Sequence, residues 1–277
     1  MVLKKEKENK IEFNLSPSSL NVYYQSPLLF YLTYIAKVPD DTKVPVCYGL
    51  SGKIVHDCLE KYAKKDIDQD TACLHLIEKW ESHNLNIHKD LKGNTLNQID
   101  YIKAMLNGIK IIDSHENHVC EETISFPLKE NDIMKIGLKG IIDLQATKKE
   151  GSEFVIIDYK TSNSIDKGEN FERQALFYNM LLHKKKNIIP SKTIFHYLKL
   201  NAVKEHVFSL EDVEEFKEEL NRIADQLLDS GTDIKNYPIG EINDIFNSKR
   251  QACLEEIERR QRIENSDYTD EINAMFY

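Results

Sequence analysis

The stretch FVIIDYKTS, residues 154–162, decides the fold of this chain. Its apolar and β-branched beginning predicts a buried strand, and side chains alternate between the two faces of a strand. Asp158 and Lys160 therefore point to one face, and Ile157 and Tyr159 point to the other. The strand ends with a carboxylate and an amine on the same side, which indicates a chemical site at the edge of a buried sheet.

A preceding apolar run ends in the same way, with GIID at residues 140–143. A hairpin turn centred on Glu150 and Gly151 joins the two runs, and this centre places Asp143 directly opposite Asp158. Opposed side chains in a hairpin have Cβ atoms about 5 Å apart, and like charges at that distance destabilise the sheet. We therefore expect a positive charge between the two acids.

Two opposed carboxylates form an oxygen-rich site that suits Mg²⁺ or Mn²⁺. This inference depends on the register, because a loop one residue longer or shorter separates the two acids. The alternative is that Asp158 and Lys160 end a solvated strand and that Asp143 is one of many surface acids. If the acids do face each other, neutralising Asp143 relieves their repulsion and should stabilise the metal-free protein.

The periodicity of apolar residues changes along the chain. Helical spacing dominates up to about residue 118, strands follow from residue 120, and a helix over residues 169–186 precedes a further strand or hairpin. We therefore predict four regions. These are a flexible N-terminus (1–15), a helical subdomain (16–119), an α/β core (120–209) and an acidic helical C-terminal region (210–277).

The formal net charge of −9 argues at first against a nucleic-acid partner, because phosphate binding favours a basic surface. The acids are concentrated at one end, however. Residues 210–277 hold 8 Lys and Arg against 18 Asp and Glu, so this region carries −10 and residues 1–209 carry +1. The charge therefore does not exclude nucleic acid, and the acidic region is a candidate surface for a protein partner.

The cysteines and the hydropathy indicate a reduced cellular compartment. No apolar run approaches the roughly 18 residues of a membrane span, and the first ten residues are polar rather than a secretory signal. The five cysteines are widely spaced without a CxxC pair, so neither a disulfide framework nor a zinc site is indicated: Cys47, Cys58, Cys73, Cys120 and Cys253. We expect a cytoplasmic protein without membrane contact.

Four motifs follow one another in the chain: GKIVH (52–56), GIID (140–143), DYKTS (158–162) and QALFY (174–178). In this order they resemble the RecB-type branch of the PD-(D/E)XK nuclease superfamily, which includes RecB and AddB nuclease domains and CRISPR-associated adaptation exonucleases. The resemblance runs from about residue 16 to about 200. It implies a restriction-endonuclease-like α/β core, with a mixed central sheet flanked by helices, an N-terminal helical subdomain and an acidic helical C-terminal tail.

The resemblance also implies roles for individual residues. His56, Asp143 and Asp158 become ligands of Mg²⁺ or Mn²⁺, with the backbone carbonyl of Tyr159 as a further ligand. Lys160 becomes the catalytic lysine, acting with the two aspartates. Taken alone, His56 has an open alternative, because a lone histidine on a helix is more often a packed or surface residue than a ligand.

Gln174 and Tyr178 correspond to the Gln-x-x-x-Tyr element that lies near the DNA in this branch. Their spacing places them on one helical face, although both also suit an ordinary amphipathic core helix. Glu60, one turn after His56, is either an acceptor that orients the imidazole or an exposed glutamate. The basic run at residues 184–186 is either a solvated helix end or a phosphate contact.

Many members of this branch hold an iron–sulfur cluster, with one cysteine in the N-terminal segment and three near the C-terminus. In this chain Ser26 stands at the N-terminal position, and only Cys253 remains after residue 200. Because a cluster needs about four ligands, we expect no iron–sulfur cluster. Cys253 should instead be a small buried residue of a C-terminal helix that packs against the N-terminal helices.

The resemblance implies a Mg²⁺- or Mn²⁺-dependent deoxyribonuclease that hydrolyses phosphodiester bonds in DNA repair, recombination or defence. We expect an exonuclease that prefers single strands or DNA ends. One alternative is a catalytically silent subunit of the same fold that binds nucleic acid or acts as a scaffold. Another is a helical interaction protein that recruits a basic partner through its acidic tail.

Overall fold

The computed structural model describes residues 10–41, 46–89, 93–151, 153–165, 170–242 and 247–276. The strands are β1 (Ile11–Leu15), β2 (His115–Glu130), β3 (Met134–Lys148), β4 (Phe154–Lys160), β5 (Lys192–Tyr197) and β6 (Ala202–His206). The helices are α1 (Pro17–Gln25), α2 (Pro27–Phe30), α3 (Val46–Ala63), α4 (Gln69–Ser82), α5 (Gln98–Ser114), α6 (Asn170–Lys186), α7 (Leu210–Ser230) and α8 (Arg250–Phe276). A π-helical turn, Tyr31–Ile35, extends α2.

Within these ranges the strands form one mixed sheet in the order β1-β3-β4-β5-β6, and β2 also pairs with β3. The pairs β3–β4 and β5–β6 are antiparallel hairpins. β4 and β5 are parallel, because α6 carries the chain back across the sheet between them. The predicted α/β fold with a mixed sheet flanked by helices is therefore confirmed, including the order of three strands, a helix, a hairpin and a helix.

The pairing of β3 with β4 confirms the predicted register. Leu144 lies opposite Ile157 and Thr147 lies opposite Phe154, so the hairpin turn has the expected centre. The same register, continued by one pair, brings Asp143 opposite Asp158.

The two faces of β4 pack against different helices. Val155, Ile157 and Tyr159 belong to one apolar cluster with residues of α3, α4 and α5. On the other side, α6 approaches β3 closely, because Gly140 has no side chain and a Cβ there would lie 2.6 Å from Leu181 Cδ1. The polar end of β4 is therefore held between packed layers.

The chain divides into two compact units. The first comprises Met1–Val44, Leu128–Gly137 and Ile223–Tyr277, and the second comprises Pro45–Pro127 and Leu138–Arg222. A small core in the first unit joins α2 to the C-terminal region through Leu28, Leu32, Ile242 and Cys253. All residues that the sequence nominated for catalysis belong to the second unit.

Two predicted element bounds were wrong. Residues 11–15 are not part of a flexible N-terminus but form β1, since alternation buries Phe13 and Leu15 and the Ile11 N–H donates to the Ile133 carbonyl at 2.9 Å. The strands begin at His115 rather than at residue 120. Left-handed backbone at Asn117 and Glu121, with φ of 55° and 49°, interrupts the alternation that would have indicated a strand.

The C-terminal packing agrees with the prediction, although the helix starts later than expected. α8 begins at Arg250, and Cys253 is fully buried among apolar residues that include Leu29 of α2. Ser26 is also buried, and its hydroxyl donates to the Ile239 carbonyl and accepts the Leu29 N–H. The apolar pattern of residues 242–263 also predicts Ile245 and Phe246 for this core, and both lie outside the described residues. In the described ranges, every helix is too short or too polar to cross a membrane.

Candidate active site

The site lies at the end of the β3–β4 hairpin. Asp143 Oδ2 accepts the backbone N–H of Tyr159 at 2.8 Å and lies 3.4 Å from His56 Nδ1. His56 Nε2 in turn donates to the Tyr159 carbonyl at 3.0 Å. The structure thus brings together the histidine of α3, the aspartate of β3 and the backbone of β4, as the sequence predicted.

His56 carries a positive charge in this arrangement. Burial opposes protonation of the imidazole, but the charges of Asp143, Asp158 and Glu121 outweigh it and raise the pKa of His56 to about 9. With both nitrogens protonated, Nδ1 faces carboxylates and Nε2 faces a carbonyl. The positive charge expected between the opposed acids is therefore supplied partly by His56.

A second network surrounds Asp158. Gln174 Nε2 donates to Asp158 Oδ1 at 2.8 Å and lies 2.7 Å from the Tyr178 hydroxyl. Tyr178 also donates to Asp158 Oδ1, at 3.4 Å. Lys160 Nζ lies 2.5 Å from Asp158 Oδ2 and donates to Gln174 Oε1 at 3.1 Å. One face of α6 therefore meets one face of β4. The spacing predicted each of these faces, and the resemblance implied that they lie together.

The two opposed aspartates differ in their affinity for a proton. Burial and the charge of Asp143 raise the pKa of Asp158 to about 6, although Lys160 opposes this shift. Burial acts in the same direction on Asp143, but His56 and the Tyr159 N–H hold the pKa of Asp143 below its ordinary value. Of the two neighbouring acids, Asp158 therefore binds a proton more readily, and Asp143 keeps its negative charge to lower pH.

One oxygen of this network has an open acceptor position. Asp158 Oδ2 is buried and contacts the ammonium of Lys160, but it accepts no well-aligned hydrogen bond from any described residue. A buried acceptor of this kind is costly unless another group satisfies it. The ammonium also lies over the Phe171 and Phe195 rings, at 4.5 and 5.1 Å from their centroids, which holds the side chain of Lys160 in place.

Glu121 of β2 was missed by the sequence analysis. Its Oε1 lies 4.0 Å from His56 Nδ1, and burial together with the charge of Asp143 raises its pKa to about 7. The left-handed backbone at Glu121, rare for a residue other than glycine, sits in the middle of the strand. The only sequence signal was the pair Glu121–Glu122 in CEET, and alternation alone does not say which of them faces the site.

His56, Glu121 and Asp143 each offer one ligand atom, and these three atoms lie within 4.8 Å of one another. Two carboxylates and an imidazole, beside a backbone carbonyl and the open oxygen of Asp158, are ligand types that Mg²⁺ and Mn²⁺ accept. The donor set therefore fits the divalent metal expected from the sequence. Among the described residues, no other cluster of at least three His, Cys, Asp or Glu side chains meets the same distance limit.

The contacts of two further groups bear on the alternatives left open by the sequence. The Glu60 carboxylate binds Lys64 at 2.5 Å and does not orient His56. In the basic run, Lys185 and Lys186 bind the Glu122 carboxylate at 2.8 and 2.9 Å. Neither group contributes directly to the arrangement around Asp143 and Asp158.

Known proteins resemble this chain in the same region. A family model of the PD-(D/E)XK nuclease superfamily matches residues 14–239. An ATP-dependent helicase/deoxyribonuclease subunit from Clostridium tetani is 25% identical over 197 residues, which span 61% of this chain and only 17% of that relative. A crystal structure titled "Putative exonuclease" from Eubacterium rectale superposes with a TM-score of 0.46 and 11% identity, covering 87% of this chain and 88% of that chain.

The family model covers most of the chain and includes all four motifs of the site. It agrees with the mixed sheet and with the convergence of the motifs at the end of one hairpin. This chain belongs to the PD-(D/E)XK nuclease superfamily.

Proposed function

We propose that this protein is a divalent-metal-dependent deoxyribonuclease that hydrolyses phosphodiester bonds. The convergence of Asp143, Asp158 and Lys160 with His56 carries the proposal. The two acids lie at a buried edge of the sheet, although burying a carboxylate gives no hydrophobic stabilisation, and Lys160 lies beside Asp158. A solvated strand end would not require these buried contacts.

His56, Asp143, Asp158 and the Tyr159 carbonyl are the proposed metal ligands, and Glu121 adds a further carboxylate from β2. When bound, Mg²⁺ or Mn²⁺ would polarise the phosphate and lower the pKa of an attacking water. A charged His56 would have to release a proton before one of its ring nitrogens could act as a ligand. Metal affinity should therefore depend on the protonation of His56.

Lys160 is the proposed catalytic residue beside the metal. Its ammonium orients the attacking water or stabilises the charge that develops on the phosphate. Gln174 and Tyr178 hold Asp158 and Lys160 in this geometry through their hydrogen bonds. From the resemblance, they are also the proposed substrate-binding residues. These roles follow the motif positions and are supported by the contacts described above.

We further propose, from the resemblance, that the protein is an exonuclease that acts on single strands or DNA ends. The assay uses DNA labelled at the 5′ or 3′ end, single- and double-stranded, with Mg²⁺, with Mn²⁺ and with chelator. We expect cleavage only with metal and faster on single strands. Short labelled products that appear from one end indicate an exonuclease, whereas a ladder of internal products indicates an endonuclease.

The same assay tests the silent alternative. Binding of labelled DNA without cleavage under every metal condition would favour a nucleic-acid-binding or scaffolding role. Lys160→Ala serves as the control, because it should remove any cleavage that arises from this site. Activity that survives this substitution would come from a contaminant or from another site.

The acidic C-terminal region remains a proposed surface for a protein partner, since its charge is not used by the site in the second unit. Substituting the exposed Glu255 and Glu258 of α8 by Lys should weaken association with a basic partner and leave cleavage unchanged. The cytoplasmic location is likewise a proposal, which cell fractionation would test.

A further inference from the structure

The metal-binding side chains open onto a cleft of about 480 Å³, which we call the active-site cleft. One ridge of α3 forms much of its wall, together with one residue of β2 and one that follows β4. The lining residues are Gly49, Gly52, Lys53, His56, Asp57, Glu60, Glu121 and Thr161. These groups therefore lie beside the proposed metal site, where a phosphodiester substrate would bind.

Two acids in the active-site cleft have cationic partners of their own on the helices. Asp57 Oδ2 lies 2.9 Å from Lys61 Nζ and 2.6 Å from His75 Nε2. The Glu60 carboxylate binds Lys64. Because both acids are already paired, their charges repel an approaching phosphate less than free carboxylates would.

Lys53 differs from the other cations on this helix. It is exposed, it lines the active-site cleft, and no described residue forms an ion pair with it. Lys53 precedes His56 by three positions, so both side chains lie on the same side of α3. Among the described lining residues it supplies an unneutralised positive charge beside the metal-binding side chains.

The wall next to Lys53 has little side-chain bulk. A Cβ at Gly49 would meet nothing within 4 Å, and one at Gly52 would lie 2.9 Å from Thr161 Oγ1. Glycine allows a substrate backbone to approach a helix closely. The Thr161 hydroxyl, directly after Lys160, lies against Gly52 and lines the same cleft, where it can donate a hydrogen bond.

We propose that Lys53 and the Thr161 hydroxyl form a phosphate-binding subsite for the phosphodiester next to the one that is cleaved. The inference rests on the proposed nuclease function and extends it from the metal site to the path of the strand. The subsite is electrostatic and carries no base specificity, because it contacts the phosphate alone.

The test measures binding without cleavage. Fluorescence anisotropy of a labelled oligothymidylate strand is followed with Mn²⁺ over a KCl series, in a Lys160→Ala parent and in the same parent with Lys53→Ala. We expect affinity to fall by about three- to tenfold, and the salt dependence to weaken by about 0.7 in log–log slope, the value for one lost phosphate contact on a single strand. Thr161→Val should weaken binding without changing the slope.

Lys103→Ala is the matched control, since Lys103 is an exposed lysine on α5 of the same unit and lines no part of the active-site cleft. Calorimetric Mn²⁺ affinity should be the same in all variants. If Lys53→Ala and Lys103→Ala change binding and its salt slope equally, the subsite is wrong while the nuclease proposal stands. A parent that binds Mn²⁺ but no DNA would overturn both.

Discussion

At the scale of single residues, Asp143 and Asp158 show how one hairpin register produces two different carboxylates. Asp143 faces an imidazolium and a backbone N–H, whereas Asp158 faces Lys160, Gln174 and Tyr178. Burial raises the pKa of both groups, and only the stronger partners of Asp143 reverse this effect. The charge on each residue therefore follows from its neighbours and not from its type.

Asp143→Asn should destabilise the metal-free protein, which reverses the sign expected from the opposed charges alone. Burial raises the pKa of Asp143, but His56 and the Tyr159 N–H lower it further. A carboxyl whose folded pKa is lowered stabilises the fold above its unfolded pKa and loses this effect as the pH falls through the folded value. Losing that charge should cost about 1–2 kcal/mol at pH 7.

Thermal melts in chelator measure this cost, and melts with Mn²⁺ should show a smaller metal-induced gain in the variant than in the parent. Glu60→Gln is the control, because Glu60 lines the same cleft but binds Lys64. A higher melting temperature of Asp143→Asn in chelator would show that repulsion between the aspartates dominates after all.

Lys160→Ala should abolish cleavage and leave Mn²⁺ binding nearly intact, because a charged lysine is no ligand. Asp158→Ala should weaken both, with a loss of Mn²⁺ affinity of at least about tenfold, or about 1.4 kcal/mol. Calorimetric titration of both variants with Mn²⁺, beside the cleavage assay, separates the two roles. Equal losses of Mn²⁺ affinity would contradict this division.

At the scale of elements, β2 joins the candidate site to the end of α6 and to β3. Glu122 accepts hydrogen bonds from Lys185, Lys186 and Gln145, so it ties β2 to the end of α6 and to β3. The adjacent Glu121 turns toward His56 through its left-handed backbone. The contacts of Glu122 can therefore hold the irregular backbone at the neighbouring Glu121 in place.

Glu122→Gln should destabilise the protein by about 1 kcal/mol near pH 7, the scale of a partly exposed ionic contact. Burial raises the pKa of Glu122, but Gln145, Lys185 and Lys186 lower it to about 2. The stabilisation is therefore present above the unfolded value of 4.5 and is lost as the pH falls toward 2. Urea unfolding in chelator should show that the difference in free energy of unfolding between parent and variant shrinks from pH 7 to pH 3.

Glu153→Gln, an exposed glutamate beside the β3–β4 turn, is the control for a general effect of removing one negative charge. If the free energies of unfolding of Glu122→Gln and the parent differ by the same amount at all pH values, the loss of stability comes from altered packing and not from the lost charge.

At the scale of the whole molecule, the candidate active site and the C-terminal residues from Ile223 onward belong to different compact units. The candidate active site belongs to the second compact unit, while Cys253 packs with Leu28, Leu32 and Ile242 in the first. Ser26, which the resemblance placed at a cluster-cysteine position, is bonded to backbone groups of the same unit. Apolar packing and hydrogen bonds thus join the N-terminal and C-terminal segments of that unit.

Cys253→Ala should cost about 1 kcal/mol of stability, as expected for a small cavity in an apolar core, and should leave metal-dependent cleavage unchanged. Protein purified without oxygen should be colourless and contain no stoichiometric iron or sulfide. Thermal melts, elemental analysis and the end-labelled assay check the three expectations. A brown preparation that loses its iron with Cys253→Ala would contradict them.

Local geometry explains how much could be predicted from the sequence. Alternation along a strand and the centre of a hairpin turn are properties of neighbouring residues, so they placed Asp143 opposite Asp158 and Lys160 beside Asp158. Helical spacing likewise placed Gln174 and Tyr178 together. These features needed no knowledge of distant parts of the chain, and the four motifs were sufficient to indicate the family.

Tertiary structure alone decided the rest, because those features depend on residues far apart in the chain. Glu121 has a left-handed backbone within β2 and lies 4.0 Å from His56, and neither feature follows from the spacing of neighbouring residues. The protonation of His56 and the sign of the Asp143 effect depend on charges that folding brings within a few ångströms. Sequence determined which groups are available, and packing determined their charge and their partners.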